Sequence, residues 1–298
     1  MKRLLIAGFG DIARRALERL EGSFEVARCS RARGFDLDRP GSLSLPEADA
    51  LLHCAPPPAG AKGDTHAANG DPQASGADTR TANLLAALEK GRILPARIVY
   101  VSTSGVYGDC AGARVDEARP PAPQTDRARR RLDAERQLAR WAGSRQIELI
   151  VLRAPGIYAP DRLPLERLRA GTPVLRAEDD VYTNHIHADD LAAIVCRALE
   201  PDAPAGVYNA NDDTEMKMGD WFDLVADLHG LPRPQRITRS AAAGAISSDL
   251  MSFMSESRRL DNRRLKQVLE VRLRYPTVHE GLRSRLSNER VTRLDQPA

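Results

Sequence analysis

Four short stretches hold residues whose types and spacing could do chemistry. The run PQTDRARRRLDAERQL at 123–138 places five arginines between Arg127 and Arg136. Such a run suits a nucleic-acid patch, a solvated helix face or an anion-binding site. STSGVY at 102–107 offers the hydroxyls of Thr103 and Tyr107, which could hold or protonate a substrate oxygen. It has neither a GxSxG elbow nor a paired histidine, so hydrolase chemistry is unsupported. NHIHADD holds His185 and His187 two apart, and GFGDIA at 8–13 is a glycine turn.

The glycine turn carries a definite physical reading. The strand RLLIAG runs into Gly8 and Gly10, which permit a tight turn and close approach of backbone to a pyrophosphate. The phosphates would lie on the N-terminus of the helix opened by Asp11 and Ile12, with Ala13 where helix and strand pack closely. The position after a strand and before an amphipathic helix is the context this motif requires. A dinucleotide site follows. At the end of the second strand, an NAD site usually carries an acidic residue; this chain has Ser30 and Arg31, flanked by Arg28 and Arg33. Hydroxyl and guanidinium groups suit a 2′-phosphate. The competing reading is a set of solvated arginines. NADP is therefore the preferred cofactor and NAD the alternative.

The elements around these residues are legible from periodicity. DIARRALERLEG is a helix with Ile12, Ala13, Ala16, Leu17 and Leu20 on one face. FEVARC, ADALLHCA (48–55), RIVYVSTSG and IELIVLRAP read as strands, and TRTANLLAALEKG and the arginine run to about Trp141 as helices. Residues 59–78 read as a mobile loop. Strands alternating with helices of this length imply an α/β fold, a Rossmann-type doubly wound parallel sheet. The smaller, mainly C-terminal substrate lobe is expected over 156–184 and 213–298. The dinucleotide-binding domain is expected over 1–155, with 185–212 returning to it.

Composition narrows the classes further. Of 298 residues, 44 are basic and 41 acidic, so net charge gives no reason to expect nucleic-acid binding. Only 4% are aromatic, too few for base stacking along an arginine patch. No apolar run approaches the roughly 20 residues that cross a bilayer. The four cysteines are far apart and read as free thiols. A cytoplasmic protein binding neither nucleic acid nor membrane is expected.

Several spaced motifs together resemble the extended short-chain dehydrogenases, the NAD-dependent epimerase/dehydratase group. VYVSTSGVYGD resembles the strand and loop carrying that group's catalytic Ser/Thr. LIVLRAPGIYAP resembles its "LRP-x-x-YGP" segment, NHIHADDLA its "IHVDDLA" segment, and VYNANDD the strand that follows. RRLDNRRLKQVLEVRLRYPTVHEGL is similar to its C-terminal pattern. The G-x-G-x-x-A turn departs from the commoner GxxGxxG and points to an atypical branch. The resemblance implies that Asp36 and Leu37 lie beside the adenine, and Cys54 and Ala55 by the cofactor ribose. It implies that Pro155 and Ile157 follow the strand flanking the nicotinamide, Thr103 is the catalytic hydroxyl, and Tyr107 lines the substrate cleft. NHIHADD becomes a structural junction, where Asp189 and Asp190 tie strand to helix, and no metal is expected. The implied substrate is a small molecule such as a nucleotide-sugar, and the implied assembly a monomer or homodimer.

The group's chemistry uses a Tyr phenolate and a Lys four residues later, on the helix after the active-site strand. That helix is the arginine run, which has neither residue. At about 100° per residue, Arg127, Arg131 and Glu135 fall inside its apolar stripe, and Arg129, Arg130, Asp133, Arg136 and Arg140 outside it. This register puts Arg127 in the tyrosine's place and Arg131 in the lysine's. Arginine stays protonated at any working pH, so it cannot be a general base. It can bind an anion, contact ribose hydroxyls or pair with Glu135; Tyr107 is the nearest alternative proton donor. Two functions remain open: an NAD(P)-dependent oxidoreductase or isomerase, or a non-catalytic NADP(H)-binding sensor or assembly protein.

Overall fold

The computed structural model describes residues 1–39, 41, 43–58 and 76–283. Most of the loop expected over 59–78 thus lies outside the described residues. Six strands form one parallel sheet: β1 (Lys2–Ala7), β2 (Phe24–Cys29), β3 (Ala50–His53), β4 (Arg97–Thr103), β5 (Glu148–Ala154) and β6 (Gly206–Asn209). Their order across the sheet is β6-β5-β4-β3-β1-β2. The inner strands are covered on both faces, which is why LLIA, ALLH and RIVYV read as continuous apolar runs.

Helix α1 (Asp11–Glu21) packs on one face with α5 (Ala188–Leu199), around Leu4, Ile6, Leu52, Val99 and Leu191. Helices α2 (Thr79–Leu88) and α3 (Asp126–Gly143) cover the other, around Leu5, Leu51, Ile98, Tyr100 and Leu138. Asp78 caps α2 by accepting the amides of Arg80 and Thr81, and Thr125 caps α3 by accepting Ala128 N–H. The fold is a Rossmann-like α/β fold, as the alternation of strands and helices predicts. A separate apolar cluster gathers Leu168, Val174, Trp221, Phe222, Val225 and Leu282. It includes residues of α4 (Leu165–Arg169), α6 (Met218–Leu228), α7 (Arg239–Ala245) and α8 (Ser248–Phe253), and α9 (Arg263–Gln267) follows in sequence. Among the described residues, no helix is long and apolar enough to cross a membrane.

Two strands stop earlier than their apolar runs. β3 ends at His53 because the amides of Cys54 and Ala55 both turn onto the Ala7 carbonyl, at 2.8 and 2.9 Å. β5 ends at Ala154, before Pro155, whose missing N–H cannot continue the ladder. The chain then leaves the sheet, and Gly156–Tyr158 pairs instead with His185–His187. The Asp190 carboxylate accepts the amides of Arg274 and Tyr275 at 2.8 and 2.9 Å, so the junction ties strand, helix and C-terminal segment together.

A buried ion pair joins α3 to the sheet. Arg153 donates to Glu135 at 2.7 Å through Nη2 and at 3.2 and 3.3 Å through Nε, with both side chains under one-tenth exposed. Ser102 donates to the same carboxylate at 2.5 Å. Removing one member strands a buried charge. Glu135→Ala should therefore cost about 3–5 kcal/mol in urea unfolding, whereas Glu135→Leu with Arg153→Met should recover most of it.

Candidate functional site

The first strand and its turn build a cradle. Gly8 has φ +90°, in the left-handed region, and its amide donates to Cys29 O at 3.0 Å. A Cβ there would stand 2.3 Å from Ala55 N, so only glycine lets β1 turn this close to the end of β3. Gly10 sits at the N-cap of α1 with no side-chain cap, and a Cβ there would meet nothing within 4 Å. Backbone amides of α1 therefore face open space at the point where strand order reverses between β1 and β3. This fits a dinucleotide pyrophosphate. Ile12 is buried beneath the turn. Asp11 turns its carboxylate to Arg162 at 2.7 Å and Arg15 at 3.0 Å. Burial pushes that carboxyl up, and the two guanidiniums outweigh it and hold it below the usual carboxylate range.

At the end of β2, Ser30 precedes a 3-10 turn formed by Arg31–Arg33. Arg31 and Arg33 are exposed, and neither side chain makes a hydrogen bond or ion pair among the described residues. Arg28 is committed elsewhere, paired with Glu21 at 3.0 Å and lying 5.4 Å from the Phe9 ring centre. Asp36 accepts the Asp38 amide at 3.1 Å, and buried Leu37 gives its carbonyl to Asn83 at 2.7 Å. Cys54 and Ala55 lie against Gly8. Burial pushes the Cys54 thiol up to about 12 against the pull of Arg131.

The other end of the site gathers Thr103, Arg131, Pro155 and Ile157 at or beyond the carboxyl ends of β4 and β5. Thr103 ends β4 half-exposed and accepts Gly105 N–H at 3.2 Å. Arg131 donates through one nitrogen to Tyr100 Oη at 3.2 Å and Val101 O at 3.0 Å. Pro155 and Ile157 are half-buried beyond β5.

Three expectations need correction. Tyr107 does not line a cleft: it is 1% exposed and donates its hydroxyl to Asn209 Oδ1 at 2.8 Å, with Arg153 stacked 4.8 Å from its ring centre. Arg127 does not lie in the apolar stripe of α3: it is exposed, with its guanidinium 4.1 Å from the ring centre of Phe253, itself 46% exposed. Position 127 lies in the first turn, before α3 packs under the sheet. Glu135 takes Arg153 as its partner rather than Arg127 or Arg131, because β5 brings an arginine to it from below.

A second polar chain was missed. His53 Nε2 lies 2.9 Å from Thr81 Oγ1, which donates to Asp78 at 2.8 Å. Asp133, expected among the solvated residues, accepts the Asp78 amide at 2.8 Å. Burial, then the Arg131 charge, push His53 down to about 3. The available signals were a histidine inside an apolar run and the DTRT capping pattern at 78–81. His187 spends Nδ1 on the Asp189 amide at 3.2 Å, and no three His, Cys, Asp or Glu side chains among the described residues converge on a metal site.

Residues 44–210, more than half of the chain, match the model of the NAD dependent epimerase/dehydratase family. The chain belongs to that family. Its cofactor is accordingly a nicotinamide dinucleotide, NAD(P). A curated relative, GDP-6-deoxy-D-mannose reductase of Pseudomonas aeruginosa, is 28% identical over 163 residues, covering 50% of this chain and 53% of the relative. The chain spans about half the length of the curated relatives it matches. Over nearly full length it is similar to a solved conserved protein of unknown function from Silicibacter pomeroyi DSS. That structure is 28% identical with TM-score 0.72, covering 97% of this chain and 99% of the other. The structure of RMD from Pseudomonas aeruginosa complexed with NADPH shares the fold. It is 22% identical with TM-score 0.70, covering 97% and 99%.

The two glycines separate folding from binding. Gly8→Ala should lower stability by about 2–4 kcal/mol, since positive φ and a backbone clash combine. Gly10→Ala should leave stability within about 1 kcal/mol and weaken NADPH about tenfold by filling the space above α1. Thermal unfolding and fluorescence titration of each variant check both.

Proposed function

We propose that this family member is an NADP(H)-dependent oxidoreductase or isomerase acting on a hydroxyl or carbonyl of a nucleotide-sugar or similar hydroxylated small molecule, without its family's Tyr/Lys pair. The observation that carries the reading is Arg131. It is anchored by Tyr100 and Val101 at the carboxyl end of β4, and its charge bears on Cys54 and His53 at the end of β3. That position suits a group that holds ribose hydroxyls or a substrate oxygen. The bound cofactor supplies or accepts a hydride. Gly8, Gly10 and the first turn of α1 hold its pyrophosphate, and Ser30 and Arg31 its 2′-phosphate. Thr103 donates a hydrogen bond to the substrate oxygen. Arg131 stabilises negative charge developing there. Arg127, drawn towards Phe253, takes no part in the transfer. Neither guanidinium takes up a proton, and the buried Tyr107 hydroxyl is engaged as donor to Asn209 Oδ1. The proton therefore exchanges with water or with a group of the substrate.

Burial of Tyr107 also favours a second reading, a protein that binds NADP(H) without turnover. Single-turnover mixing with NADPH and a panel of nucleoside-diphosphate keto-sugars decides between them. Oxidation of bound NADPH by any member supports the enzyme; tight NADPH binding with no oxidation by any of them supports the sensor.

For the enzyme, Thr103→Ala should lower kcat/KM about a hundredfold with NADPH affinity nearly unchanged. The pH dependence should also differ from a phenolate mechanism. His53 is pushed down to about 3 and Tyr100 up to about 12, so neither changes charge near neutrality. The kcat/KM profile should be flat between about pH 6 and 9, and a steep rise there would mean that a titrating base acts.

A further inference from the structure

The exposed Arg31 has an acidic competitor. Asp38 lies in the same loop as Arg31; its carboxyl is held below the usual range by Arg80 first and by the Arg31 charge last, and Arg31 and Asp38 form no ion pair among the described residues. Asp38 is instead held in a two-pronged contact by Arg80, from the first turn of α2. Nε donates to one carboxylate oxygen at 2.8 Å and Nη2 to the other at 2.6 Å. The third nitrogen, Nη1, donates to the carbonyls of Pro56 and Pro57 at 3.0 and 3.2 Å. All three nitrogens of Arg80 are thus engaged, and its side chain is only 14% exposed. Next to it, Asn83 holds the Leu37 carbonyl. One side chain fastens the segment after β2 to the segment after β3, and it holds the Asp38 carboxylate of the loop that carries Arg31.

We infer that Arg80 is a specificity-determining positioning residue: by engaging both oxygens of Asp38, it keeps Arg31 available for the 2′-phosphate of NADP(H). Arg80 does not contact the phosphate. Without it, Asp38 presents an uncompensated carboxylate beside the phosphate position and offers Arg31 a nearer partner. Both effects penalise a ligand bearing the 2′-phosphate and leave one without it almost untouched, because the diphosphate and nicotinamide ends bind elsewhere. This inference rests on the reading that Arg31 takes the 2′-phosphate.

The test is titration of the whole protein with NADPH and with NADH, followed by nicotinamide fluorescence. Arg31→Ala examines the underlying reading: NADPH affinity should fall about tenfold and NADH change less than about twofold. If Arg31→Ala changes neither, that reading and the inference both fall. Given that loss, Arg80→Ala should weaken NADPH about fivefold to tenfold and NADH less than about twofold, and adding Asp38→Asn should restore NADPH to within about threefold of the unaltered protein. Equal weakening of both cofactors, or no recovery with Asp38→Asn, would make Arg80 a brace alone and overturn the inference while Arg31 keeps its role. Asp38→Ala provides a variant with the arginine intact, should Arg80→Ala not fold. It should hold NADPH as tightly as the unaltered protein or more so, and a tenfold loss would show that Asp38 helps build the site.

Discussion

The buried pair between Glu135 and Arg153 is the constraint on which the carboxyl end of the sheet depends. Two charges withdrawn from water need each other's attraction and further hydrogen bonds to offset the loss of hydration. Glu135 satisfies this with Arg153 and Ser102, from neighbouring strands β5 and β4. Arg153 then lies over Tyr107, which reaches Asn209 on β6. A helix, three strands and the turn after Thr103 are thereby set in one arrangement. Thr103 and Arg131 inherit their positions from it, since one follows Ser102 and the other lies one helical turn before Glu135.

A second constraint is steric. Gly8 must approach Ala55 more closely than any side chain allows, and the amides of Cys54 and Ala55 must converge on Ala7 O. Those contacts end β3 and open the crevice where strand order reverses. The cradle and the end of β3 are thus one structure, so a cofactor bound across them meets surfaces fixed before it arrives. The His53–Thr81–Asp78 chain extends this rigidity to α2, and Arg80 extends it to the loops after β2 and β3.

Much of this is legible in the sequence because it follows from local rules. Apolar runs over four to seven residues are strands buried on both faces, and Gly8, Gly10 and the following amphipathic helix need only their order along the chain to be read. Partner choice is different. Arg153 and Glu135 are 18 residues apart, and Tyr107 and Asn209 are 102 apart. Nothing in helical periodicity tells Glu135 to prefer an arginine on β5 over Arg131 on its own helix. Likewise, the angular position of Arg127 predicts a buried side chain, but α3 meets the sheet only after its first turn. Tyr107 was misplaced for the same reason: a tyrosine after an active-site strand is equally compatible with a cleft or with a hydrogen bond at the sheet edge.

In so arginine-rich a chain, the role of each guanidinium is decided by the carboxylates around it. Arg153, Arg80 and Arg15 meet acids directly and become struts. Arg31 forms no ion pair among the described residues, and Asp38 of its own loop is taken by Arg80. Arg131 binds a phenol and a carbonyl, both neutral, so its charge is not cancelled by its own hydrogen-bond partners. A fixed positive charge of this kind differs from the lysine expected at the same place. Lysine lowers a phenol's pKa and thereby enables proton transfer, whereas the phenol beside Arg131, Tyr100, is fully buried and burial pushes it up to about 12 despite the guanidinium. In the proposed reading, chemistry at this site therefore rests on holding an oxygen anion, and the proton's route is set by the substrate and water.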